Sequence, residues 1–161
     1  MVVQELIDRS NEFTDQEVGV SNWVEVTQEM TNEFGRSTDD IDPAHMDPDW
    51  ANEHSPFGRP VAFGFWTLSM LTTMTYDVGF HKKIMSEFGE YYPINYGLEK
   101  VRFISFVPIG SFIRCRVVYR GIEYRRKGRY LFTTDNIVEI KGEEKPALTA
   151  RWLGMMVLKN D

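Results

Sequence analysis

The sequence predicts an α+β domain in which a long antiparallel sheet wraps one buried helix, and three observations predict it. Between Arg59 and Asp77 no charged residue occurs, and apolar side chains fall on every side of the helix this stretch would form. Five strand-like runs follow it, rich in β-branched and aromatic residues and parted by Pro/Gly turn signals. Ahead of it stand short helical patterns, one short strand and an Asp/Pro-rich loop. A helix that is apolar all round must be enclosed, and the strand series is the material that can enclose it.

In chain order, residues 3–13 read as a short helix with Val3, Leu6 and Ile7 on one side. Residues 23–26 read as a strand. Thr27 then offers a side-chain oxygen to cap a helix over 28–37, where Met30 and Phe34 recur at helical spacing. The Asp/Pro-rich residues 38–48 interrupt regular structure, and Asp47 before Pro48 starts one or two turns over 48–54. The central helix is expected over 64–78, with Phe65, Leu68, Thr72 and Tyr76 on one side and Trp66, Met70 and Met74 on another. Strands are expected over 91–96, 101–106, 111–120, 130–140 and 147–158. Turns at Pro108-Ile109-Gly110, Lys127-Gly128 and Lys141-Gly142 separate the later ones.

A length of 161 residues fits a single domain, 1–161, with no repeat or linker. Acidic residues outnumber basic ones by 24 to 18, which argues against a nucleic-acid partner, because polyanion binding needs a basic face. The uncharged stretch carries Thr67, Ser69, Thr72, Thr73 and Thr75, too polar for a membrane span, so no membrane partner is expected. The N-terminus is mixed in charge without a continuous apolar segment, which points to the cytoplasm. One cysteine, Cys115, precludes an internal disulfide, and its alternating surroundings suit an inert strand residue. Three histidines without ligand spacing suggest no metal site, and His54 and His81 are expected to face solvent.

The chemistry-bearing segment is STDDIDPAHMDPDWANEHSPFGRPVAFG, residues 37–64. It sets Asp40 and His45 five residues apart with Pro43 bending the chain between them, so a carboxylate and an imidazole can share one water as an acid/base pair. The helix that follows begins with N–H groups lacking intrahelical partners. At its positive dipole end they suit a carbonyl oxygen that becomes negative during reaction.

This segment resembles the MaoC-like (R)-specific enoyl-CoA hydratases of the hotdog superfamily. Their Asp-x-Asn-Pro-x-His-x-Asp motif falls on Asp40, Pro43, His45 and Asp47, their Ala on Ala51, their Phe-Gly on Phe57 and Gly58, and the helix-opening Gly on Gly64. Asp39 stands where Gly is usual, Asp42 where Asn is, and Phe63 where the His before the helix Gly is. The runs YPINYGLEKVRF and VPIGSFIRCRV extend the likeness toward the nodulation protein N branch.

The resemblance implies a hotdog fold and reversible hydration of trans-2-enoyl-CoA to (R)-3-hydroxyacyl-CoA. Asp40 and His45 would activate water, and the Gly64 N–H would hold the thioester carbonyl. It implies a homodimer, an acyl-CoA thioester substrate and no cofactor, coenzyme A entering only as part of the substrate. Tyr96 and Arg102 are candidate substrate-binding residues, and the basic turn Arg125-Arg126-Lys127-Gly128-Arg129 is a candidate for coenzyme A phosphates. A hotdog thioesterase and a non-catalytic acyl-CoA-binding protein are the alternatives.

Overall fold

Caps and prolines decide where the first half of the chain turns helical. The computed structural model describes residues 3–159. Its elements are α1 (Val3–Asn11), β1 (Glu17–Val20), β2 (Val24–Glu25), α2 (Gln28–Thr38), α3 (Pro43–Met46), α4 (Pro48–His54), α5 (Gly64–Ser69), α6 (Leu71–Val78), α7 (Phe80–Ser86), β3 (Tyr91–Phe103), β4 (Phe112–Arg126), β5 (Arg129–Ile140) and β6 (Leu148–Leu158). Thr27 caps α2 by accepting from the Met30 N–H, Asp42 caps α3 through Ala44, and Asp47 caps α4 through Trp50. Pro43 and Pro48 open their helices at a position where the missing N–H costs nothing.

One antiparallel sheet runs in the order β1-β4-β5-β6-β3, with β2 paired to the start of β4. The helices lie against its inner face. Ile113, Cys115 and Val117 of β4, Val138 of β5 and Leu148 of β6 pack there with Trp66, Leu71 and Met74 of the central helix. A second cluster under α1 and α7 joins Ile7 and Met85 to Tyr119, Tyr130 and Phe132. Cys115 is fully buried, and that burial pushes its thiol up to about 12, as suits an inert strand residue. The outer face alternates charges instead. Arg114 and Arg116 share Glu139, while Arg120 and Arg151 share Asp135.

Four details differ from the sequence expectation. Residues 91–96 and 101–106 are not two strands: β3 runs on through Gly97 and Lys100, bulging against β6 at both places, and stops at Phe103. Strand β1 and helices α3 and α7 were not foreseen. The central helix divides at Met70, where the Ser69 hydroxyl donates back to the Trp66 carbonyl, although i→i−4 bonds from Met70 and Met74 carry the axis through. Nor is that helix enclosed within one chain. Trp66, Leu71 and Met74 are buried, but Phe65 is 71% and Tyr76 49% exposed, on the side facing β3.

Candidate active site

The short helix α3 that bears His45 is tied to the mouth of α5 by backbone bonds. The segment leading into α5 is held on one side by the turn after β3, with Ala62 N–H donating to Val107 O at 2.8 Å and Ile109 N–H to Pro60 O at 3.1 Å. On its other side Val61 N–H donates to Ala44 O at 3.4 Å, and His45 Nδ1 lies 2.7 Å from Val61 O. A carbonyl can only accept, so Nδ1 carries the proton and Nε2 of the neutral ring is left with a free lone pair. The ring also rests on Phe63, centroids 4.0 Å apart, and Phe63 in turn packs on Phe34. Only Ala62 and Phe63 separate Val61 from Gly64, so the imidazole and the helix mouth are fixed to each other.

Both face one cavity of about 360 Å³, whose other walls include Phe57, Thr67, Phe103 and Ser105. Gly64 opens α5 beside the Phe103 ring, which would stand 3.1 Å from a Cβ at that position. Glycine therefore leaves the approach to its N–H clear.

Asp40 stands outside that cavity wall. Its side chain is exposed, no hydrogen bond joins its carboxylate to a described residue, and its N–H donates to Gly35 O at 3.0 Å. His45 and Gly64 are thus brought together, with Asp40 in the adjoining turn. The family departures have local explanations. Asp42 performs the cap that Asn would, and Asp39 adopts left-handed backbone, φ 57°, which explains a usual Gly. Phe63, 3% exposed, becomes the floor under the imidazole.

Tyr96 lines a groove between α5 and β3 with Phe65, Leu68, Thr72 and Trp152, separate from the His45 cavity. Arg102 is exposed and donates to the carbonyl of its neighbour Val101 at 2.8 Å. The basic turn lies at the far end of β4 from the Val107–Gly110 clamp, with Arg125 paired to Glu123 at 2.7 Å, so within one chain it does not reach the His45 cavity. His81 departs from expectation. It is half-buried against a second cavity near the C-terminal end of α6.

Three supporting residues carried no sequence signal. Gln28 Nε2 donates to the His45 carbonyl at 2.7 Å, Val61 offers only a backbone oxygen, and Gly35 is the contact that lets the 39–46 loop close on α2. Among the described residues no helix is long and apolar enough to cross a membrane.

Comparison with known proteins gives consistent results. A family model described as "MaoC like domain" matches residues 9–140. The chain is similar to nodulation protein N of Rhizobium meliloti (strain 1021), 40% identical over 87% of this chain and 84% of that protein. It is similar to 3-hydroxyacyl-thioester dehydratase Z of Mycobacterium tuberculosis (strain ATCC 25618 / H37Rv), 38% identical over 84% and 85%. In fold it matches the (R)-hydratase from A. caviae involved in PHA biosynthesis, with TM-score 0.64 and 18% identity over 89% of this chain and 96% of that one.

Proposed function

Because the chain belongs to the MaoC-like domain family, and is with it a hydro-lyase of hotdog fold, we propose that it adds water reversibly to trans-2-enoyl-CoA to give (R)-3-hydroxyacyl-CoA. The observation that carries this reading is the Nδ1 bond to Val61 O, which leaves His45 Nε2 free beside the mouth of α5. The thioester carbonyl lies against the Gly64 N–H. His45 takes one side of a water in the cavity, and Asp40, which stands outside the cavity wall, would turn in from the adjoining turn to hold the other side. As its oxygen bonds to the β-carbon, one of the pair takes a proton from it, the C=C electrons move onto the carbonyl oxygen, and the helix terminus stabilises the resulting enolate. A proton then passes to the α-carbon and the carbonyl re-forms. Water addition moves only protons, so the reaction needs no metal or redox cofactor.

The proposal includes a homodimer. Strand β3 ends the sheet with a free edge and exposes Tyr92, Ile94, Tyr96 and Leu98, near the exposed Phe65 and Tyr76 of the central helix, apolar surface that a second chain can cover. A second copy would close the groove. The cytoplasmic location expected from the sequence belongs to the same reading.

Incubation with crotonyl-CoA tests the chemistry. Loss of the conjugated enoyl absorbance without release of free thiol is expected. Thiol release, from crotonyl-CoA or a saturated acyl-CoA, would make it a thioesterase, and inertness toward both a binding protein.

A further inference from the structure

The second cavity, of about 190 Å³, lies between the C-terminal half of the central helix and the sheet. It shares Thr72, Asn95 and Trp152 with the α5–β3 groove, whose other end is walled by Phe65, the residue after Gly64, so groove and cavity together run from the first turn of α5 to His81. Thr72 is eight residues beyond Gly64, about 12 Å along the axis, the length of an acyl chain of roughly ten carbons. The path thus suits the distal end of a medium-length chain.

Its walls are mixed in a way that a hydrocarbon alone does not satisfy. Val117, Phe132, Trp152 and Met155 are apolar, but His81, Thr72, Asn95 and Thr134 bring hydrogen-bonding groups to the same space. Filling it with methylene groups would strip water from them and return nothing. The His81 ring bonds the backbone of Thr75, and its burial favours the neutral form. The carbonyl of Thr75 takes the ring N–H, so the other ring nitrogen is an acceptor in want of a donor. Thr75 cannot supply one, since its hydroxyl already donates to Leu71 O at 2.7 Å.

Resting on the hydratase reading, we propose that this cavity receives the far end of the acyl chain and that His81 accepts a hydrogen bond from a hydroxyl carried there, making hydroxylated medium-chain enoyl thioesters the preferred substrate class. The hydroxyl donates to the ring nitrogen and accepts from Thr134 or Asn95, while the rest of the tail lies along Trp152.

The test measures kcat/KM of the purified protein for trans-2-decenoyl-CoA and for its 10-hydroxy derivative, with crotonyl-CoA as the control for hydratase activity. The hydroxylated chain is expected to be favoured at least tenfold, and His81→Leu to bring that ratio near one. A wild-type preference for the plain chain, or the same ratio in both proteins, overturns the proposal. If His81→Leu fails to fold, the wild-type ratio alone decides it. Should crotonyl-CoA also be inert, the hydratase reading has failed separately. Binding of 10-hydroxydecanoyl-CoA against decanoyl-CoA by calorimetry then decides: tenfold tighter binding of the former supports the pocket, and equal binding overturns it.

Discussion

The two ends of the central helix each present a histidine to a cavity, and they are built from different materials. At the Gly64 end, His45 sits on the one-turn helix α3, whose placement depends on backbone: Val61 O holds its ring, Gln28 its carbonyl, and the 60–62 segment is clamped to the turn after β3. At the other end, His81 stands on a helix packed against strands, and its cavity is walled by sheet side chains. The first arrangement leaves a ring nitrogen and a helix mouth open to a reacting molecule. The second shapes a volume. On the proposed reading, reaction and recognition are divided along one helix, with the α3 turn and the helix mouth serving chemistry and the packed elements setting size.

Substitution at α3 and the turn before it tests the division most directly. His45→Gln and Asp40→Asn are each expected to lower turnover of short and long enoyl chains alike by about 10²–10⁴-fold, with thermal unfolding nearly unchanged. A large stability loss with activity retained would mean that the pair is structural. Next comes Gly35→Ala. Its Cβ would lie 2.7 Å from Asp40 O, a backbone atom, and 2.5 Å from Met46 Sδ, so the loop must move away from α2. Denaturant unfolding should show a loss of about 1–3 kcal/mol, and crotonyl-CoA turnover should fall with it.

The opposite end answers with smaller effects. Tyr119 is fully buried among Phe80 and Phe132, two walls of the second cavity, and its hydroxyl finds no partner among the described residues. Tyr119→Phe is therefore expected to raise stability by about 1 kcal/mol. A decrease would reveal that the hydroxyl is engaged. The smallest effect is on pH dependence. Burial first, and the charge of Lys82 as well, hold His81 below its ordinary value of 6.5 against the hydrogen bond to Thr75. Below 6.5 the unfolded chain takes up a proton there that the folded chain refuses, so stability is full above 6.5 and falls as pH drops toward the folded value. His81→Gln should flatten the pH dependence of the denaturation midpoint in that window, and an unaltered slope would remove His81 from the account.

Much of this was legible in the residues, for local reasons. Thr27, Asp47-Pro48 and the Gly after residues 127 and 141 act through bonds to near neighbours, and the elements they delimit came out within a few positions, except that β4 runs on from its expected end at 120 to Arg126. The elements that escaped depend on distant partners. Strand β1 is ordered by pairing with β4 a hundred residues away, and β3 stays one strand across Gly97 because β6 holds its ladder. The helix face was misjudged because hydrophobicity says only that a surface wants cover, not which chain supplies it. In the site, Asp40, His45 and Gly64 stood out by type and spacing. Their supports did not, since Val61 acts through a carbonyl that every residue possesses, and Gly35 through an atom it lacks.

The uncovered edge of β3 has a practical consequence. With the proposed pairing, the working unit assembles by mass action, so specific activity should decline as stock is diluted toward nanomolar concentration and recover on concentrating it. Assays set up at different enzyme amounts would then disagree in turnover number without any difference in chemistry, and half-inactive preparations would be cured by crowding the chains rather than by changing the buffer.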